Sequence, residues 1–209
     1  MDTSQLFCII SWVIIGLIIL FTFLLAFKSN ILRDSIDNPA AFMSSARLMK
    51  NYTGISFDDI PRPYSLARTQ LALWTAIISS TYIHLTLCIK DCSIDLKSSA
   101  TALALLGIST GTTAFANVID QSQSNNKTIT PRHQNQPSQG FWLDILSDEN
   151  GISIHRLQNV IWTIVAISIY LYKVTVAPEC HLPDLDGTLV SLTGISSVAY
   201  LGLKMNENK

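Results

Sequence analysis

Long apolar stretches alternate with polar segments along this chain, and the apolar stretches determine its architecture. A membrane-spanning helix needs about 20 predominantly apolar residues. Five stretches approach this length without internal charge: Leu6–Phe27, Thr69–Ile89, Ser99–Ile119, Leu157–Tyr172 with an extension toward Ala177, and Gly187–Leu203. The last of them is short for a span. The pattern predicts an all-α integral membrane protein with five transmembrane helices.

Charged side chains are scarce and unevenly distributed. They make up 14% of the chain, against about 25% in a soluble domain, which indicates that lipid is part of the solvent. With five spans, one side of the membrane holds Lys28, Arg33, Arg47, Lys50, Arg62, Arg68, Lys127, Arg132, Arg156, Lys204 and Lys209, and the other holds Lys90, Lys97 and Lys173. Cytoplasmic loops carry the excess of lysine and arginine. The bias predicts an outside N-terminus and a cytoplasmic C-terminus. Nothing in the composition resembles a basic surface that binds nucleic acid.

The second and fourth predicted spans begin with the same motif, Arg-x-Gln-x-x-x-Trp-Thr. The motif residues recur at an offset of 88, as Arg68, Gln70 and Trp74 and then Arg156, Gln158 and Trp162. After a one-residue slip, a Gly-Ile-Ser motif at Gly107 recurs at Gly194. Two spans separate equivalent points, so the copies share one orientation and are parallel repeats about an axis along the membrane normal.

The repeat and the loops divide the chain into six parts. We expect residues 1–27 to form a peripheral helix, and residues 68–119 and 153–204 to form two helical hairpins in a 2+2 bundle. Residues 28–67 form a cytoplasmic loop with a short amphipathic helix over Asn38–Lys50. Residues 120–152 form a flexible linker that ends in an amphipathic stretch, and 205–209 a tail.

Small residues mark the second helix of each predicted hairpin. Small-x-x-x-small patterns let helix backbones approach closely in a membrane. Such residues occur at Gly107, Gly111, Gly187, Ser191 and Gly194. We predict that they mediate helix packing within the bundle; oligomerisation or a pore-lining face is the alternative.

The repeated polar residues have several interpretations. Arg68 and Arg156 would lie at the cytoplasmic ends of equivalent helices, where they contact headgroups, flank a vestibule or pair with acids such as Asp120 and Asp144. Buried polar residues in membranes tend to pair, so Gln70 and Gln158 are predicted to tie the hairpins together.

No arrangement of residues predicts an enzyme, and we expect no catalytic, cofactor-binding or metal-binding residue. Gly107-Ile-Ser-Thr-Gly111 matches the nucleophile-elbow pattern but lies within a predicted membrane helix rather than a strand–turn–helix. The cluster of Asp144, Asp148, Glu149 and Asn150 lacks the spacing of a calcium loop and is predicted to be a solvated turn. Cys92 and Cys180 are repeat equivalents on the outer side, where disulfides persist, so we hypothesise that they are bonded.

The two Arg-x-Gln-x-x-x-Trp-Thr motifs and the two Gly-Ile-Ser motifs, with Gly140-Phe-Trp-Leu-Asp-Ile-Leu between them, resemble a family of uncharacterised bacterial multi-spanning membrane proteins over about residues 60–204. Val198 departs from the family pattern, where glycine is expected. The resemblance implies a bacterial inner membrane location.

Two classes of function remain from the sequence. The first is a structural, anchoring or scaffold subunit that binds the lipid bilayer, forms a homo-oligomer or binds a cytoplasmic protein. The absence of acidic residues deep in the predicted spans favours it, because ion-coupled transporters usually carry one. The second is a small channel or transporter, favoured by the parallel repeat.

Overall fold

A computed structural model describes residues 3–36, 38–49, 54–89, 100–124, 135–148, 151–176 and 181–205. Seven α-helices form in these ranges: α1 (Thr3–Lys28), α2 (Pro39–Leu48), α3 (Leu66–Cys88), α4 (Ala100–Ser124), α5 (Phe141–Leu146), α6 (Ile154–Val176) and α7 (Gly187–Lys204). A 3-10 turn covers Phe57–Asp59, and a two-stranded antiparallel hairpin pairs β1 (Ser147–Asp148) with β2 (Gly151–Ile152).

Four long helices pack into a bundle with a fifth on its outside. Helix α3 packs against α4, α4 against α7, and α7 against α6, while α1 lies along α3. The main core is apolar and includes Trp74, Leu105 and Tyr170. Helix α3 thus contacts α4, and α6 contacts α7, as in two hairpins. The pseudo-symmetric 2+2 arrangement of these hairpins stays a prediction.

Four of the helices are long and apolar enough to cross a membrane. They cover Gln5–Lys28, Leu66–Cys88, Ala100–Ser122 and Ile154–Val176. The fifth predicted span corresponds to α7, which is not among these four. Helix α7 has only 18 residues; it contains several serine, threonine and glycine residues and ends at Lys204.

The described segments between α1 and α3 and between α4 and α6 fold into a small layer at one end of the bundle, which we call the cap. It comprises the described residues between 29 and 65 and between 135 and 153. Asp34 N donates to Pro63 O at 2.9 Å, and Ser138 N donates to Pro61 O at 2.8 Å. These bonds join three separate stretches of chain.

Helix α2 gives the cap its own hydrophobic core. Asn38 caps the helix by accepting a hydrogen bond from Ala41 N, as amide side chains favour at this position. Phe42 packs edge-to-face on Phe57 with ring centroids 5.7 Å apart, and it is buried together with Ala46 and Ile60. The helix lies where the sequence predicts one.

The region predicted as a linker over residues 120–152 contains structure at both ends. Helix α4 continues to Ser124, and Pro137 is buried in the cap. Gly140 is the N-cap residue of α5 and has a φ of +113°. Glycine adopts this backbone conformation readily, whereas it is costly for other residues. Residues 125–134 lie outside the described ranges.

Candidate functional site

A buried polar contact joins α3 to α6 inside the bundle. The side-chain Nε2 of Gln70 donates to Asn159 Oδ1 at 3.1 Å and to Thr163 Oγ1 at 2.7 Å. All three side chains are buried. A polar group in an apolar interior is costly unless it is hydrogen-bonded, so these bonds fix how the two helices face each other.

The repeat partner of Gln70 is placed differently. Gln158 is exposed, and its neighbour Asn159 faces the interior instead. The same shift recurs further along, because Tyr82 is 36% exposed whereas its repeat partner Tyr170 is fully buried. Relative to α3, the buried face of α6 is therefore displaced by one residue along the sequence. This corresponds to a rotation of about 100° around the helix axis.

Helices α3 and α6 bury different faces because they have different neighbours. Helix α3 is covered by α1 on one side and α4 on another, whereas α6 packs mainly against α7. Short helix α5 lies over the groove between α3 and α6, where Phe141, Leu73 and Ile164 line a space of about 90 Å³. Identical sequence motifs therefore meet different surroundings.

The two repeated tryptophans both belong to the core, to different degrees. Trp74 is buried and meets the ring of Tyr170 edge-on, with centroids 6.1 Å apart. Trp162 is partly buried and packs against the same cluster. This is the T-shaped geometry that aromatic pairs prefer.

The repeated arginines make different contacts at the cap end of the bundle. Arg68 donates to the carbonyl of Arg33 at 2.9 Å and to Asn117 Oδ1 at 3.4 Å. Arg156 is buried, and its guanidinium lies 5.4 Å from the centre of the Tyr200 ring, a cation–π contact. Arg68 thus ties the cap to α4, while Arg156 lies between α6 and α7.

A buried ion pair that is not predicted from the sequence joins the ends of α4 and α7. Lys204 Nζ lies 3.0 Å from Asp120 Oδ2. The sequence does show an acidic residue near the end of one apolar helix and a lysine at the end of another, which is a signal for such a pair. The pairing needs the α4–α7 contact, which the sequence alone does not reveal.

Asp144 is the central polar residue of the cap. Its carboxylate accepts hydrogen bonds from Tyr64 N at 3.2 Å, from Gln139 N at 2.8 Å and from the Ser138 hydroxyl. Asp144 is 1% exposed, so its predicted place in a solvated turn is wrong. Two backbone donors and a hydroxyl replace the water that a carboxylate would otherwise bind.

Tyr64 links this carboxylate to the guanidinium group of Arg33. Arg33 donates to the Tyr64 hydroxyl at 3.0 Å, and its guanidinium carbon lies 4.2 Å from the ring centre. Phe141 packs edge-on against the same ring, with centroids 5.2 Å apart. The stretches around residues 33, 64 and 141 are therefore held as one unit.

Of the predicted packing glycines, Gly194 lies against a neighbouring helix and the other three do not make such a contact among the described residues. A Cβ placed on Gly107, Gly111 or Gly187 would meet no atom of the described residues within 4 Å, and on Gly194 it would meet Ile108 Cδ1 of α4 at 3.7 Å. Ser191 is exposed. Their alternative use in oligomerisation or at a pore stays a prediction.

The cysteines that the structure pairs differ from the hypothesised pair. Cys8 of α1 and Cys88 of α3 form a disulfide, which joins the ends of these helices far from the cap. The hypothesised bond between Cys92 and Cys180 lies outside the described residues.

Within the described ranges, no group of three or more His, Cys, Asp or Glu side chains is placed to hold a metal ion. The features that the geometry does provide are the buried polar contact between α3 and α6 and the hydrogen-bonded cap. No protein-family model, curated protein or solved structure matches the chain.

Proposed function

We propose that this protein is a structural, anchoring or scaffold subunit of a membrane assembly, in which the bundle holds the cap in place for a cytoplasmic protein partner. In this proposal α7 is the fifth span, the N-terminus is outside, and the cap faces the cytoplasm of a bacterium. The lysine and arginine distribution supports this orientation.

The observation that carries the proposal is the fixation of the cap by Asp144. A buried carboxylate that accepts hydrogen bonds from three chain positions holds the residues around Tyr64 and Ser138 to the start of α5. Loops that only connect spans do not need such a costly buried group. A cap with a defined shape is suited to recognition by a partner.

The interior of the bundle also supports a structural function. Ser109, Thr112 and Ser196 are the side chains expected to line a polar path if the chain were a channel, and all three are buried. The Thr112 hydroxyl donates to the Ile108 carbonyl of its own helix. The burial of all three side chains within one copy of the chain supports a closed bundle.

Photo-crosslinking in native membranes tests the proposal. A photoreactive residue at Leu48, which is 89% exposed on the cap, should yield one discrete adduct with a protein partner. The same residue at Tyr172, which is exposed near the opposite end of α6, is the matched control. Cap adducts that are no more defined than those at Tyr172 would contradict the proposal.

Asp144→Asn provides a second control on the same surface. It leaves Leu48 exposed but weakens the hydrogen bonds that hold the cap, so the discrete adduct should diminish. An adduct that persists at full yield would show that the partner does not recognise the folded shape of the cap.

A small channel or transporter is the second candidate. Ser196 Oγ and Asn159 Nδ2 are buried without a hydrogen-bond partner among the described residues, and such groups can bind water or a polar solute. Flux of ions and small solutes into proteoliposomes tests this alternative. Flux above that of empty vesicles, abolished by Ser196→Leu, would favour the channel over the scaffold.

A further inference from the structure

We propose that this protein binds a phospholipid with an amine-bearing headgroup, held where α1 meets the cap. The headgroup would occupy a polar cleft at the end of α1, and one acyl chain would lie in an apolar groove along α1. The proposal rests on the juxtaposition of these two spaces, which differ sharply in chemistry and share a wall.

The cleft has the size and charge that a headgroup needs. It encloses about 430 Å³ and is lined by three cationic side chains, Lys28, Arg33 and Arg62, and by two carboxylates, Asp58 and Asp59. Cations of this kind bind phosphate oxygens, and carboxylates bind an ammonium group. A zwitterionic phosphate–amine headgroup therefore complements both sets of charges.

The groove has the chemistry of an acyl-chain site. It encloses about 530 Å³ between α1, α3 and α5, and its lining is almost entirely apolar. Along α1 it extends from Ile19 to Phe27, which is about 12 Å of helix. On α3, small side chains such as Ala76 leave room for a chain to lie against the backbone.

The two spaces meet at two points. Phe27 lines both of them. Arg33 of the cleft lies over the ring of Tyr64, which lines the groove. The apolar groove therefore lies directly beside the charged cleft, as a lipid with one charged end requires.

The depth of the site in the membrane agrees with this occupant. Helix α1 is apolar enough to span a membrane over Gln5–Lys28, so Lys28 marks the end of the span and the cleft lies at headgroup level. Trp142 also lines the groove, and tryptophan favours this interfacial region.

Native mass spectrometry of the full-length protein in mild detergent tests the proposal. Dioleoyl phosphatidylethanolamine and dioleoyl phosphatidylglycerol carry the same acyl chains and differ in the headgroup amine. We expect the ethanolamine lipid to bind more tightly by about fivefold, the scale of one exposed ion pair. Equal or tighter binding of the glycerol lipid would overturn the proposal.

Variants assign each part of the site. Asp58→Asn with Asp59→Asn should remove the preference for the amine, and Arg62→Gln should weaken both lipids by about fivefold. Arg47→Gln is the matched control, because Arg47 is exposed on the cap but does not line the cleft. A loss in Arg47→Gln equal to that in Arg62→Gln would contradict a defined cleft.

The groove is tested by filling it. Ala26→Phe places a large ring in the groove and should weaken both lipids alike. Thr75→Phe is the control, because Thr75 lines a neighbouring space between α1 and α3 but does not line the groove. If Ala26→Phe does not fold, Leu73→Trp fills the same groove from an exposed position on α3. Unchanged binding in a folded groove variant would overturn the proposal.

Discussion

Lys204 of α7 and Asp120 of α4 form an ion pair whose side chains are 2% and 6% exposed. Helix α7 carries several polar residues and ends in this lysine, so it is poorly suited to contact lipid on all sides. The pair neutralises the charge and attaches the end of α7 to α4.

Breaking this pair from one side should destabilise the bundle. Lys204→Met leaves Asp120 as a buried charge with its Lys204 partner removed, and Asp120→Leu does the same to Lys204. Removing one member of a buried pair costs about 3–5 kcal/mol, which should be measurable by unfolding the purified protein with increasing SDS.

The double variant Asp120→Leu with Lys204→Met is the control for that prediction. A hydrophobic pair of similar volume often replaces a buried ion pair at little cost. We expect it to recover most of the lost stability. A double variant as unstable as the sum of the two single variants would show that the charges do not act on each other.

Gln70→Leu should weaken the contact between α3 and α6. It removes the hydrogen bonds to Asn159 and Thr163, and a side-chain hydrogen bond between membrane helices contributes about 0.6 kcal/mol and up to about 1.7. Gln158→Leu is the matched control in the repeat, since Gln158 is exposed. SDS unfolding should separate the two variants; equal losses of stability would contradict the placement of Gln70.

Asp144→Asn should loosen the cap without unfolding the bundle. The amide cannot accept all the hydrogen bonds that the carboxylate receives from Tyr64, Ser138 and Gln139, and a buried donor left unpaired costs about 1–3 kcal/mol. Limited proteolysis should therefore cut the cap faster while the long helices survive. Asp59→Asn, on the exposed surface of the same cap, should leave the cleavage rate unchanged.

The Cys8–Cys88 disulfide predicts a specific labelling pattern. Neither thiol should react with a maleimide until a reductant is added, and peptide mass spectrometry should find the two residues linked. Replacing Cys92 and Cys180 with serine should leave this pattern intact. Labelling of Cys8 without reductant would show that α1 and α3 are not covalently joined.

The positions of the long helices were predictable because an apolar span of fixed minimal length is a local property of the sequence. The stretch Leu6–Phe27 lies within α1, and Thr69–Ile89 overlaps α3, which begins three residues earlier at Leu66. The polarity of α7 and its ending at Lys204 place it outside the four apolar spans that the structure supports.

The contacts between distant segments were not predictable. Gln70 and Gln158 stand in identical motifs, so nothing local indicates that only Gln70 faces the interior. Asn159 does carry a signal: with Thr163, Ala166 and Tyr170 it forms one stripe of a helix. In the repeat alignment, however, the residue that matches Gln70 is Gln158, which precedes Asn159 in the sequence. Cysteine pairing, likewise, cannot be deduced from sequence alone.

The cap also sets an order of events during synthesis. Tyr64 and Asp144 are 80 residues apart, so the amide of Tyr64 has no carboxylate to bind until the ribosome has made α3, α4 and the segment after them. At about 5–20 residues per second, that delay lasts roughly 4–16 s. The nascent cap is therefore open while the first long helices are already complete, and it closes only when α5 emerges.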